Sequence, residues 1–189
     1  MITTPPLFVA LDLASVTTLE PAGLRRCLDT VFTASDSHDG LRTVFGALER
    51  VLVAHVTCDP FVSERRGMRE LLRWLDCRNV PVVGTASFAP AIAQAIARRF
   101  GWSAYGLDVV PADGLAWDAI APAAEARGVS PERIAYLGDN QWELAHAAKH
   151  GCGMTFDLSV MTLVEVADAL RGRLPNPRGG RVIEIGAAS

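Results

Sequence analysis

Arg133–Gly153 reads RIAYLGDNQWELAHAAKHGCG, and this stretch decides the fold. Ile134, Ala135, Tyr136 and Leu137 form an apolar run with the length and bulk of a buried strand. Gly138-Asp139-Asn140 then turns the chain into a helix that carries Ala145, Ala147 and Ala148 on one face, with Gly151 and Gly153 behind it as stop signals. Asp139 and Glu143 stand four residues apart, on one side of the first helical turn. Two hard oxygen ligands thus sit at the carboxyl end of a strand, where open α/β sheets bind ligands. The bland alternative makes Asp139 a helix cap and Glu143 a solvated charge. This stretch alone leaves both readings open.

Working outward, 189 residues that are 50% hydrophobic with a net charge of −3 suit one compact domain with a small insertion. The mildly acidic balance and the lack of a basic block argue against a nucleic-acid binder. Cys27, Cys58, Cys77 and Cys152 form no CxxC pair, so they read as reduced and structural. The start, MITTPPLFVAL, has no basic leader, and no apolar run approaches membrane-spanning length, so the expectation is a soluble cytoplasmic protein. Lys149 is the only lysine among 18 lysines and arginines, a bias that spans the whole chain.

Upstream, Leu7–Leu11 is a short apolar run that ends at Asp12, a buried strand with an acid at its carboxyl end. Leu13 to Thr18 reads as a small-residue turn rich in hydroxyls. Helices are expected over Ala22–Thr33 and from Leu41 to about His55, with no strand between Glu20 and Pro60. A helix is expected from Ser63 to Asn79, then a strand over Val80–Gly84 followed by Thr85-Ala86-Ser87. A helix over Ala91–Phe100, a strand over Leu107–Val110 and a helix over Asp118–Arg127 lead to the organising strand. Beyond it come a strand over Gly153–Leu158, a helix over Leu163–Leu170 and a Pro/Gly-rich tail with an edge strand at Val182–Ile185. This α/β alternation predicts a parallel, doubly wound sheet with helices on both faces.

Three strand ends therefore carry polar groups: Asp12, Thr85 with Ser87, and Asp139 with Glu143. A parallel sheet brings all three to one edge. Carboxylates gathered at one point repel unless a cation neutralises them, and all-oxygen ligation suits Mg²⁺. Asp12 can then act as a nucleophile toward a phosphoryl group, while Thr85 donates a hydrogen bond to a phosphoryl oxygen.

This layout resembles the haloacid dehalogenase superfamily over roughly residues 7–170. LFVALDLASVTT matches its first motif at the strand and Asp12, VPVVGTAS matches the second at Thr85, and GDNQWE matches the fourth. GVSPERIAYLGD resembles the approach to that fourth motif. The resemblance implies a Rossmann-like core over 1–18 and 61–174, a helical cap insertion over 19–60 and a tail over 175–189. It implies Asp12 and Thr85 as catalytic residues, with Thr85, Ala86 and Ser87 binding phosphate. It also implies Asp12, Ala14, Asp139 and Glu143 as the seat of Mg²⁺.

Departures from the pattern carry as much information. The family's second aspartate, which protonates the leaving group, is Ala14 here, and the glycine after it is Ser15. The lysine of the third motif falls at Gly114. Losing a general acid/base costs about 10²–10⁴ in rate. Phosphonoacetaldehyde hydrolases also carry alanine at the second position but need a cap lysine, which this chain lacks. The 2-haloacid dehalogenases are similar at Asn140, Trp142 and Glu143 but use the third-motif lysine. Trp142 itself reads as a packing residue, and His146 and His150 as a surface pair. Lys149 reads as too far along its helix to reach the pocket, and Arg25, Arg26 and Arg42 as solvated charges. The expected function is Mg²⁺-dependent hydrolysis of a small phosphorylated metabolite through an Asp12 aspartyl-phosphate, with impaired acid/base catalysis. The alternatives are a catalytically inactive ligand-binding or interaction module and a dehalogenase-like hydrolase.

Overall fold

The computed structural model describes residues 7–19, 50–54, 56–57, 62–86, 90–112 and 114–173. The expected tail strand, the helix over 22–33, most of the following helix, and Ser87 lie outside the described residues, as do Cys27, Cys58, Arg25, Arg26 and Arg42. Residues 50–54 and 56–57 are helical, at the end of the second helix expected in the insertion.

In chain order the strands are β1 (Phe8–Asp12), β2 (Thr17–Leu19), β3 (Val62–Glu64), β4 (Val82–Thr85), β5 (Leu107–Val109), β6 (Ile134–Gly138) and β7 (Met154–Asp157). The helices are α1 (Met68–Asp76), α2 (Pro90–Arg99), α3 (Ala116–Glu125), α4 (Gln141–Lys149) and α5 (Leu163–Arg171). Among the described residues, five strands form one parallel sheet in the order β5-β4-β1-β6-β7. The chain leaves the centre at β1, runs out through β4 and β5, then crosses back to β6 and β7. β1 therefore lies at the switch point, where the crossovers part and leave a crevice.

Alternation along β1 builds two cores. Val9 and Leu11 point into one, with the apolar stripes of α1, α2 and α5. Phe8 and Ala10 point into the other, with Trp117, Ile120 and Ala124 of α3 and Leu144 and Ala147 of α4. Burial on both faces is why β1 and β6 read as continuous apolar runs rather than alternating ones. Gly153 allows β7 to close on the sheet, because a Cβ there would stand 1.9 Å from the Glu132 carbonyl oxygen.

Several expectations are corrected. The hydroxyl-rich segment after Asp12 is not all turn: Thr17–Leu19 pairs antiparallel with Val62–Glu64 in a two-stranded ribbon. β-branched threonines suit an extended chain once a partner is present. Ser63 accordingly lies in β3, and α1 starts only at Met68, after Gly67 in the left-handed conformation at φ 90°. Short helical turns at Trp102–Tyr105 and Pro131–Arg133 were not anticipated. Among the described residues, no helix is long and apolar enough to cross a membrane.

Candidate active site

β1 places Asp12 at its carboxyl end, level with Thr85 of β4 in the parallel register. On the other side of β1, β6 runs level with it and ends at Gly138, so Asp139 emerges at the same edge. Beyond Asp12 the chain turns sharply, with Ser15 N–H donating to the Asp12 carbonyl at 3.1 Å. Leu13 and Val16 anchor that turn in the core. Ala14 N–H donates to Asp12 Oδ1 at 3.0 Å, an Asx-type closure that fixes the carboxylate.

Ser15 is the residue that joins the site. Its Oγ lies 2.7 Å from Asp12 Oδ2 and 2.9 Å from Asp139 Oδ1, and it accepts the Asp139 N–H at 3.0 Å. The side chain is buried, with 5% exposure for the residue. Arg65 pins this turn from below. Its guanidinium donates to the carbonyls of Ser15 at 3.3 Å, Leu158 at 2.5 Å and Met161 at 3.2 Å, and its backbone N–H donates to Val16. The loop after β1 is thereby tied to the loop after β7.

Asp139 does not cap α4; Asn140 does, accepting Trp142 N–H at 3.0 Å through its side-chain oxygen. Glu143 is half-buried rather than solvated, and its Oε2 accepts the Ala116 N–H at 2.9 Å. Leu115, at the N-cap of α3, has no polar side chain to offer, so a carboxylate from the neighbouring helix satisfies the first turn and complements its dipole. Thr85 is fully buried, and among the described residues its hydroxyl bonds the Leu11 carbonyl, at a long 3.5 Å. At that distance little is lost if it turns to a ligand.

A cavity of about 30 Å³ opens at this edge, lined by Asp12, Thr85, Ala86, Gly114, Tyr136 and Glu143 among others. That is room for about two waters. Burial pushes the Asp12 carboxyl above its ordinary range, and nearby Asp139 adds to that; the hydrogen bonds from Ser15 and Ala14 oppose it. Burial likewise raises Glu143, against the Ala116 hydrogen bond. Tyr136 is raised by burial and then by the Asp12, Glu143 and Asp139 carboxylates, so its phenol stays protonated.

Asp12, Thr85, Ala86, Asp139, Glu143 and the lysine-position Gly114 thus share one edge. Ala14 is exposed and contributes its N–H. Trp142 is not a packing residue: it is 85% exposed. Lys149 closes α4 at its far end; the His146 and His150 rings lie 4.1 Å apart, His150 exposed and His146 partly buried with its Nε2 3.5 Å from Asp118. Sequence reasoning missed the Ser15 bridge, the Arg65 clamp and the Tyr136 wall. Only Ser15 left a signal, a hydroxyl in place of the expected glycine.

The resemblance implies a cation between Asp12 and Asp139, and the residues present do not fit one. The facing carboxylate oxygens are both within hydrogen-bond reach of Ser15 Oγ, and Glu143 is engaged by α3.

No protein-family model matches the chain, and no curated protein matches it by sequence. Solved structures do match. CbbY from Rhodobacter sphaeroides in complex with phosphate superposes with a TM-score of 0.64 at 14% identity, over 81% of this chain and 87% of that one. A putative beta-phosphoglucomutase from Thermotoga maritima gives 0.64 at 15% identity, over 89% and 100% of the two chains. A haloacid dehalogenase family enzyme from Bacteroides thetaiotaomicron, described as a magnesium complex, gives 0.56 at 10%, over 80% and 92%. The chain shares the parallel α/β fold of these structures. At these identities the likeness defines the fold and leaves the chemistry to the site.

Proposed function

We propose that the chain is a phosphatase-type hydrolase of small, diffusible phosphorylated metabolites of the cytoplasm, with Asp12 as its nucleophile and with impaired acid/base catalysis. One observation carries this reading: Asp12 and Thr85 are level neighbours at the carboxyl edge of β1 and β4, on the wall of one cavity. Asp12 attacks phosphorus, the bond from phosphorus to the alcohol oxygen breaks, and water then cleaves the aspartyl-phosphate to phosphate and the free carboxylate. Thr85 turns its hydroxyl from Leu11 to a phosphoryl oxygen.

Two features keep the reaction slow. The departing alkoxide needs a proton, and Ala14 has none to give. The phosphate also approaches Asp12, Asp139 and Glu143 with no lysine at position 114 to offset the repulsion. Magnesium is the relief that the resemblance implies; because the arrangement does not seat it, no step here runs through it. The second reading, a catalytically inactive ligand-binding or interaction module, is supported by the same Ser15 bridge.

Phosphate release from a panel of alkyl and aryl phosphomonoesters tests the proposal. Slow turnover abolished by Asp12→Asn is the expected result. Release that survives Asp12→Asn would rule out Asp12 as the nucleophile, and no release from any ester by folded protein would move the reading to the inactive module.

A further inference from the structure

We propose that the Ser15 hydroxyl holds the place of a divalent cation between Asp12 and Asp139, so that the wild-type chain joins its two carboxylates by hydrogen bonds and does not bind Mg²⁺. The inference concerns the site described above and rests on the same placement of Asp12, but not on turnover.

Ion geometry leaves little choice. Mg²⁺ binds oxygen at about 2.0–2.1 Å in near-ideal octahedra. An oxygen that already stands 2.7 Å from one carboxylate and 2.9 Å from the other occupies the space such an ion would need between them. The hydroxyl also does part of the ion's work. It has one proton, which serves one carboxylate at a time, and it takes the Asp139 N–H on its lone pair, so both strand ends are held to one atom.

Nor is Ser15 a surface serine free to swing clear. Its backbone is locked on both sides, by its own N–H to the Asp12 carbonyl and by Arg65 on its carbonyl oxygen. The neighbouring Leu13 and Val16 are both fully buried. The bridge therefore belongs to the loop's fixed geometry, and Arg65 is its positioning residue.

Titration calorimetry with Mg²⁺, and melting curves with and without Mg²⁺, on the full chain decide the matter. Wild type is expected to show no saturable heat and no Mg²⁺-dependent change in melting temperature. Ser15→Gly and Ser15→Ala should both bind, at least about tenfold more tightly than any wild-type signal, and should melt higher with Mg²⁺. Adding Asp139→Asn should remove that gain. Ser15→Ala keeps the backbone preference of wild type, so it carries the test if the glycine variant fails to fold. Saturable wild-type binding as tight as that of the variants would overturn the inference, as would folded variants that ignore Mg²⁺. Because the readout is binding, its failure is separable from the failure of the proposed phosphatase: a variant can gain Mg²⁺ without turning over any ester, and wild type can turn over slowly without Mg²⁺.

Discussion

Removing the Arg65 side chain tests how firmly the site is held by the fold. The guanidinium donates to three carbonyls on two loops, the closest of them Leu158 at 2.5 Å, with Met161 and Ser15 longer at 3.2 and 3.3 Å. A hydrogen bond from a charged donor contributes about 1.5–3 kcal/mol. Arg65 is only partly buried, so water replaces some of what Arg65→Ala removes. Together these give a loss of about 3 kcal/mol. Arg65→Lys keeps a charge but offers a point rather than a planar fork, so it reaches fewer carbonyls and should lose about 1–1.5 kcal/mol. For a domain of this size, about 3 kcal/mol corresponds to roughly 6–12 °C in melting temperature. Urea denaturation followed by circular dichroism gives both values, provided the slopes of wild type and variants agree. A loss below about 1 kcal/mol for Arg65→Ala would refute the clamp. So would a lysine variant as stable as wild type, because it would show that the charge alone suffices without the planar fork.

Asp12→Asn should stabilise the protein near neutral pH, because the folded state holds the Asp12 carboxyl above its ordinary value of 3.8 and so disfavours its charge. The sign follows: wild type loses stability as pH rises through the folded value, so the Asn advantage is full above it and gone below 3.8, which melting curves across pH will show. Gly114 lies on the cavity with open space where a side chain would start, so Gly114→Lys is expected to fold and to return a positive charge to the site. In a Ser15→Gly, Gly114→Lys background, Ala14→Asp should raise alkyl phosphate hydrolysis by about 10²-fold or more, with little change for p-nitrophenyl phosphate, whose leaving group departs without a proton. Equal gains on both esters would sink the proton-donor role. Gly153→Ala should leave the protein largely unfolded or insoluble, since its Cβ would meet a backbone carbonyl at 1.9 Å; a soluble variant with a wild-type melting curve would contradict the close approach of β7.

The layers and the edge on which the site stands are legible in the sequence. Ile134–Leu137 and Leu7–Leu11 are apolar throughout because a strand buried on both faces has no solvent side to mark, and each run ends in a polar residue because the sheet ends there. The family resemblance puts its third-motif lysine position at Gly114, and Gly114 lines the cavity. Tertiary structure alone decided the partners. Ser15 meets Asp139 across 124 residues, Arg65 meets Leu158 across 93, and Glu143 caps a helix 27 residues before it. Nothing in the spacing of those residues marks such pairs. The same holds for Thr17–Leu19, which becomes a strand only when Val62–Glu64 lies beside it, and for Trp142, whose exposure depends on which face of α4 the sheet leaves to solvent. Periodicity is written in neighbours along the chain. Which hydroxyl lies between two carboxylates is fixed only when the folded sheet brings distant loops to within a hydrogen bond of each other.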